Sequence, residues 1–180
     1  MSASIQAMSM SYAEMVDGCR RRSAKAQRAL YDELAPMAAG VCRRYSADRE
    51  EAKDMLQDGF VNVYERIGSL RDPQKLRSWV YNIMVNTCIQ HYRKARHTVL
   101  MEMDDEAAGT ETELPYSMED IVMALGNLPP VQRMAFNLCC AEECGYEEAA
   151  KQMGCSEVAV RVALSRAKKQ MRELLEKTSS

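Results

Sequence analysis

The sequence predicts an all-α fold of two small helical domains joined by a flexible acidic linker. Three observations lead there. Residues that punctuate or flatten a chain are few: eight Gly and five Pro in 180 residues. Long stretches carry apolar side chains at helical rather than strand period. Charge is also segregated. Residues 1–97 hold 16 Lys/Arg against 11 Asp/Glu, residues 98–132 hold eight Asp/Glu and no Lys/Arg, and residues 133–180 hold eight against seven. The overall charge of −2 therefore conceals two weakly basic ends flanking an acidic connector. A hydrophobic fraction of 47% is enough for a packed core and argues against disorder throughout.

The elements follow in order. The first ten residues read as frayed. "SYAE", Ser11 to Glu14, has the spacing of a capping box and starts a helix. A second helical run, Ala24 to Tyr45, places Leu30, Leu34, Met37, Val41 and Cys42 on one side, and Pro36 is expected to kink or break it. Asp48, with Glu51 three residues on, caps a third helix. Its buried stripe is Ala52, Leu56, Phe60 (or Gly59), Val63 and Ile67. Asp54, Gln57, Asp58 and Val61 form a separate face that is neither basic nor fully apolar; by itself it reads as a solvated helix face, although it would also suit a protein contact. "RDP" breaks the chain at Arg71 to Pro73. The next helix buries Leu76, Val80, Ile83, Thr87 and Cys88, and aligns Asn82, Asn86, Gln90, Arg93 and His97 on the opposite side. Residues 98–117 show no period and are acidic, so they read as linker. Ser117, with Asp120 three residues later, caps a helix in the second domain. "PPVQRMAFNLCCAEE" gives another, prolines first, ended by Cys144 and Gly145.

"EEAAKQMGCSEVAVRVALSRAKK", Glu147 to Lys169, reads as a helix-turn-helix. Its acidic start suits the positive end of a helix dipole. Gly154 falls just past the first helix, where a left-handed residue is cheapest, and Ser156 caps the second. Val160 and Leu164 face the core. Glu157, Arg161, Ser165 and Lys168 form an outward row, with Val162, Arg166 and Lys169 beside it. A helix with such a face can lie in a major groove, its basic groups on phosphates and a few side chains on base edges.

Several classes are set aside. No apolar run approaches the ~18 residues of a membrane span, and the N-terminus lacks the pattern of a secretory signal. Seven cysteines, several at core positions, read as reduced thiols of a cytoplasmic protein. Cys139, Cys140, Cys144 and Cys155 lack Cys-x-x-Cys spacing and a nearby His, so core packing is the preferred reading over a metal site. With His91 and His97 the only histidines and no nucleophile–base pair in view, neither an enzyme nor a cofactor is expected.

Over nearly its full length the chain resembles a sigma factor of bacterial RNA polymerase, of the small extracytoplasmic-function type with region 2 and region 4 only. "EEAKDMLQDGFVNVY" and "LRSWVYNIMVNTCIQHYRKARH" are similar to two successive region 2 helices. "LGNLPPVQRMAFNL" resembles the opening of region 4, and "GYEEAAKQMGCSEVAVRVALSRAKKQMREL" its helix-turn-helix. Departures are Gln90 for a frequent Asp or Asn, Gly145 for a polar cap residue, Ala149 for isoleucine, Ala159 for threonine and Ala163 for a basic residue.

The resemblance implies region 2 at 1–97, a linker at 98–117 and region 4 at 118–180. It implies that Asp54, Leu56, Gln57, Asp58, Val61 and Tyr64 meet the clamp helices of the polymerase's largest subunit, while region 4 meets the flap of the second largest. Arg71, Lys75, Arg77, Tyr81, Asn82, Asn86, Gln90, Arg93, Lys94 and Arg96 would face the −10 element. Trp79 is read as core. Ser156, Glu157, Arg161, Val162, Ser165, Arg166, Lys168 and Lys169 would face the −35 element. Promoter DNA, core RNA polymerase and an anti-sigma factor are the implied partners. A 20-residue linker spans roughly 25 Å relaxed and about 70 Å extended. Two helical turns of DNA need about 70 Å, so the polymerase rather than DNA alone is expected to hold the domains apart. The main alternative is a stand-alone helix-turn-helix transcription regulator that binds duplex DNA by itself. A two-bundle RNA-binding or adaptor protein is a further one.

Overall fold

In the computed structural model, which describes residues 10–96 and 117–178, every regular element is helical. The linker at 98–116, the first nine residues, His97 and the side chain of Arg96 lie outside the described residues.

Local signals start most helices. Helix α1, Tyr12–Arg20, opens on a complete capping box: Ser11 Oγ accepts from the Glu14 amide, and the Glu14 carboxylate accepts from the Ser11 amide at 2.8 Å. Helix α2, Ala24–Tyr45, is capped by Ser23 and runs unbroken through Pro36. The expected break does not occur. Pro36 faces solvent, so the carbonyl that loses its intrahelical donor can bond water. Meanwhile Leu34, Ala38 and Val41 hold the other side of the same helix in the core. Helix α3, Arg49–Arg66, is capped by Asp48, whose carboxylate accepts from the Glu51 amide at 2.9 Å. Its buried stripe is Ala52, Met55, Gly59, Phe60, Val63 and, just beyond, Ile67, with Leu56 only half-buried. Two short 3₁₀ turns, Ile67–Ser69 and Pro73–Lys75, lead into α4, Leu76–Arg96. Helices α2, α3 and α4 pack mutually, and α1 closes one end.

The second unit comprises α5 (Met118–Gly126), α6 (Pro130–Phe136), α7 (Tyr146–Met153) and α8 (Glu157–Thr178). Ser117 and Asp120 form the second capping box. The helix expected to run on toward Glu143 stops at Phe136 and widens into a π turn, Asn137–Ala141. There Asn137 is fully buried, and its Nδ2 donates to the carbonyls of Arg133 (3.0 Å) and Arg44 (2.9 Å). Helix α8 is the spine of this unit, packing on α5, α6 and α7.

The two units touch. One buried apolar cluster runs from Leu30, Leu34 and Val80 of the first unit into Met134, Leu138, Met153 and Val160 of the second. A smaller cluster, including Leu125, Leu128, Met171 and Leu175, seals the far end of α8 against α5. Each fully buried Leu or Met adds roughly 1.5–3 kcal/mol, so both units are held by ordinary apolar packing. Among the described residues no helix is long and apolar enough to cross a membrane.

Candidate nucleic-acid interface

Helix α7 ends as the sequence requires. Gly154 sits at φ 67°, ψ 41°, where a Cβ would crowd the following carbonyl. Ser156 Oγ accepts from the Ala159 amide at 3.2 Å and starts α8. Its hydroxyl is thus committed to the backbone. Val160 and Leu164 point into the core, and so do Ala159 and Ala163, two of the positions that depart from the usual pattern. Glu157, Arg161 and Lys169 are exposed, and Val162, Ser165, Arg166 and Lys168 are half-buried. These are one contiguous face of α8, as the spacing predicts.

Arg161 has a local frame. Glu157 lies 3.6 Å away one turn earlier, and the Tyr146 ring lies beneath the guanidinium at 5.0 Å. Tyr146 is the first residue of α7 and is exposed. The sequence does not single it out, because nothing local marks the aromatic that opens α7 as exposed or as a neighbour of Arg161.

On α4, Arg77, Asn82, Asn86, Gln90, Arg93 and Lys94 are all exposed. Asn82, Asn86 and Gln90 repeat every four residues, and Arg93 continues the row. Arg71 and Lys75 are exposed just before α4, in a turn fixed by Asp72, whose carboxylate accepts from the Gln74 amide at 3.0 Å. Trp79 is half-buried against the core, in line with the core reading. Asn and Gln amides can bond base edges, and the flanking cations suit phosphates.

Two members of the expected −10 set are engaged elsewhere in the chain. Arg93 donates from Nε to the Gln152 carbonyl at 2.7 Å and from Nη2 to the Lys151 carbonyl at 2.9 Å. Tyr81 is half-buried; its hydroxyl accepts from Arg44 Nη2 at 3.0 Å and donates to the Glu142 carboxylate at 2.9 Å. Arg44 also meets Glu142 directly at 3.1 Å, with both side chains largely buried, and the Tyr45 hydroxyl donates to the same carboxylate at 3.3 Å. Burial pulls the Arg44 guanidinium down, but Tyr81 and Glu142 outweigh it and raise it overall. The Tyr45 phenol is pushed up, first by burial and then by the Glu142 charge.

The face of α3 is as expected in its centre. Asp54, Gln57, Asp58 and Val61 are exposed, and Asp58 is joined to His91 of α4 at 2.8 Å. Leu56 and Tyr64 are half-buried instead. The Tyr64 hydroxyl donates to the Gln27 carbonyl at 3.0 Å, so that group is spent on the core, and burial pushes it up to about 12.

The cysteines scatter through the packing. Cys19, Cys42 and Cys88 are buried, Cys139, Cys144 and Cys155 are half-buried, and Cys140 is exposed. Burial pushes the Cys139 thiol up to about 11. No group of three or more His, Cys, Asp or Glu side chains is arranged to hold a metal ion among the described residues.

The second unit thus carries a helix pair turned at Gly154, and the first carries an exposed row of amides and cations on α4. Two family models match it in order: Sigma-70 region 2 over residues 30–98 and Sigma-70 region 4 over residues 118–171. The chain is 30% identical over 138 residues to the RNA polymerase sigma factor SigV of Bacillus subtilis, covering 74% of this chain and 81% of that one. It is 29% identical over 178 residues to the ECF RNA polymerase sigma-E factor of Haemophilus influenzae, covering 90% and 92%. Its match to the ECF RNA polymerase sigma factor SigE of Mycolicibacterium smegmatis is 26% identical and spans 63% of that relative's length. Among solved structures it is similar to the sigma factor RpoE of Bartonella quintana, crystallised with the anti-sigma factor NepR. The TM-score there is 0.48 and the identity 24%, over 81% of this chain and 94% of that one. The chain belongs to the sigma-70 family of RNA polymerase sigma factors, in its extracytoplasmic-function (ECF) branch.

Proposed function

We propose that this chain is an alternative sigma factor, a specificity subunit that brings core RNA polymerase to particular promoters and helps to open them. It is not itself an enzyme; catalysis belongs to the polymerase. One observation carries the reading. A single chain presents an exposed amide row, Asn82–Asn86–Gln90 on α4, and a separate Arg161 face on α8, each suited to nucleic acid, beside a third, non-basic face on α3.

Each face has a role in the proposal. Asp54, Gln57, Asp58 and Val61 dock on the clamp helices of the largest subunit, with Leu56 and Tyr64 shaping the edge of that surface. The second unit docks on the flap of the second largest. Asn82, Asn86 and Gln90 meet the −10 bases once the strands part, and unstacked bases need such hydrogen-bonding partners. Arg71, Lys75, Arg77, Arg93, Lys94 and Arg96 hold the backbone there. Arg161, Val162, Ser165 and Arg166 read the −35 duplex, flanked by Glu157, with Lys168 and Lys169 on phosphates; Ser156 supports this face as the α8 cap. The working boundaries are 1–97 for the polymerase and −10 unit, 98–117 for the linker and 118–180 for the −35 unit. The site of action is the cytoplasm, and release from an anti-sigma factor is the expected control.

The test is transcription by purified core polymerase on a genomic promoter library, with and without the chain. New start sites that share −35 and −10 motifs support the reading. Transcripts unchanged by the chain count against it.

A further inference from the structure

The chain gives up local stability to place cations at one end of its first unit. Helix α1 ends in a Schellman turn: the Ser23 amide bonds the Gly18 carbonyl at 2.9 Å, and the Arg22 amide bonds that of Cys19 at 2.9 Å. Glycine is the usual residue at the left-handed position of such a turn, yet Arg22 occupies it, at φ 57°. Backbone strain of this kind gathers at functional positions. Three residues on, Lys25 stands in the first turn of α2, which holds no acidic residue. A helix dipole disfavours a cation there. Arg21, Arg22 and Lys25 are all exposed. A chain that needed only the turn would be served better by Gly and an acid at the last two of these positions.

The fold brings these cations to a second set. Helix α1 packs on both 3₁₀ turns that precede α4, and Arg20 Nη2 donates to the Leu70 carbonyl. The α1–α2 turn therefore lies beside Arg71 and Lys75, which are exposed. Two carboxylates flank these cations in sequence, and both are engaged. Asp17 meets Arg20 at 3.2 Å, and Asp72 accepts from the Gln74 amide at 3.0 Å. Among the described residues, Arg21, Arg22, Lys25, Arg71 and Lys75 enter no ion pair. No exposed large apolar side chain lies on either turn among the described residues. Protein interfaces centre on such anchors, so the surface favours a polyanion.

We propose that Arg21, Arg22 and Lys25 form, with Arg71 and Lys75, a phosphate-binding surface that carries promoter DNA past the start of α4 and onto the α1–α2 turn. Its ligand is the phosphate backbone of the strand beside the −10 element. Cations spread over two turns match repeated phosphates rather than base edges, so the surface adds affinity without sequence preference. It rests on the sigma-factor reading for which DNA it meets, and not for the binding of phosphates.

Fluorescence anisotropy of the full chain with a fluorescein-labelled, random-sequence single-stranded 20-mer, repeated between about 0.02 and 0.2 M salt, counts the phosphates held. Each contact on a single strand adds about 0.7 to the steepness of log affinity against log salt. Arg21→Gln/Arg22→Gly/Lys25→Gln should lower the steepness by about 2 and weaken binding about tenfold or more at the low-salt end. Arg22→Gly alone should lower it by about 0.7, while the urea midpoint holds or rises because the turn gains its usual residue. Arg49→Gln/Lys53→Gln removes two exposed cations from the opposite end of α3 and should leave the steepness unchanged. Unmeasurable wild-type binding, a triple variant as steep as wild type, an equal loss per cation in the α3 control, or a fallen Arg22→Gly midpoint overturns the proposal. Gel filtration with core polymerase separates it from the sigma reading. Co-migration of wild type, with steepness unchanged in the triple variant, removes the phosphate surface and leaves the sigma reading. A wild type that elutes apart from polymerase, with steepness lost in the triple variant, removes the sigma reading and leaves the surface standing. Co-migration lost only in the triple variant, with its steepness intact, makes the surface a polymerase contact and overturns the proposal.

Discussion

At the scale of single residues, the informative groups are those whose polar atoms are already spent. Tyr64 was expected at the polymerase-facing surface, yet its hydroxyl bonds the Gln27 carbonyl and its environment disfavours the phenolate. Its folded value is raised to about 12 from an ordinary value near 10. The stability it contributes is therefore full below pH 10 and is lost as pH rises through about 12. Tyr64→Phe should lose less stability than wild type between pH 9 and 11.5, measured as the shift in urea midpoint; an equal loss in both would show that Tyr64 does not carry it. Ser156 and Gly154 were readable because capping and left-handed turns are local matters of one or two residues. Arg44 and Glu142 were not, since 98 positions separate them and neither lies in a pattern that announces a partner.

At the scale of elements, the capped helices were legible and the interrupted ones were not. Ser11, Asp48 and Ser117 each start a helix as their spacing predicts. Pro36 misled because local propensity does not reveal that its lost hydrogen bond lies on the solvent side while the core side of α2 stays packed. The π turn after α6 misled for the opposite reason: Asn137 reaches across to another helix, and that pull is tertiary. The α8 face was legible from periodicity, but not the frame that orients it. Tyr146 stacks under Arg161, an arrangement worth about 0.5–1 kcal/mol at an exposed site. Tyr146→Ala should weaken binding of the chain–polymerase complex to −35 duplex DNA by about two- to fivefold, whereas Tyr146→Phe should stay close to wild type. Equal loss in both, in a titration by anisotropy, would point to the hydroxyl rather than the ring.

At the scale of the molecule, segregated charge marked two ends and a connector, but nothing in the sequence showed that the ends meet. The buried cluster that crosses from α2 and α4 into α6, α7 and α8 is built of Met, Leu and Val that would suit either unit alone. Order of motifs, and not composition, carried the functional reading, because a pI near 5.8 would by itself argue against a DNA-binding protein. A chain with these separate faces is expected to work only as part of the polymerase. The most direct measurement is gel filtration of the purified full chain mixed with core RNA polymerase, alongside each alone and alongside Asp58→Arg. A stoichiometric complex is expected for wild type and a weakened one for Asp58→Arg, whose reversed charge lies at the centre of the α3 face. A chain that elutes apart from core polymerase while binding duplex DNA tightly by itself would contradict it.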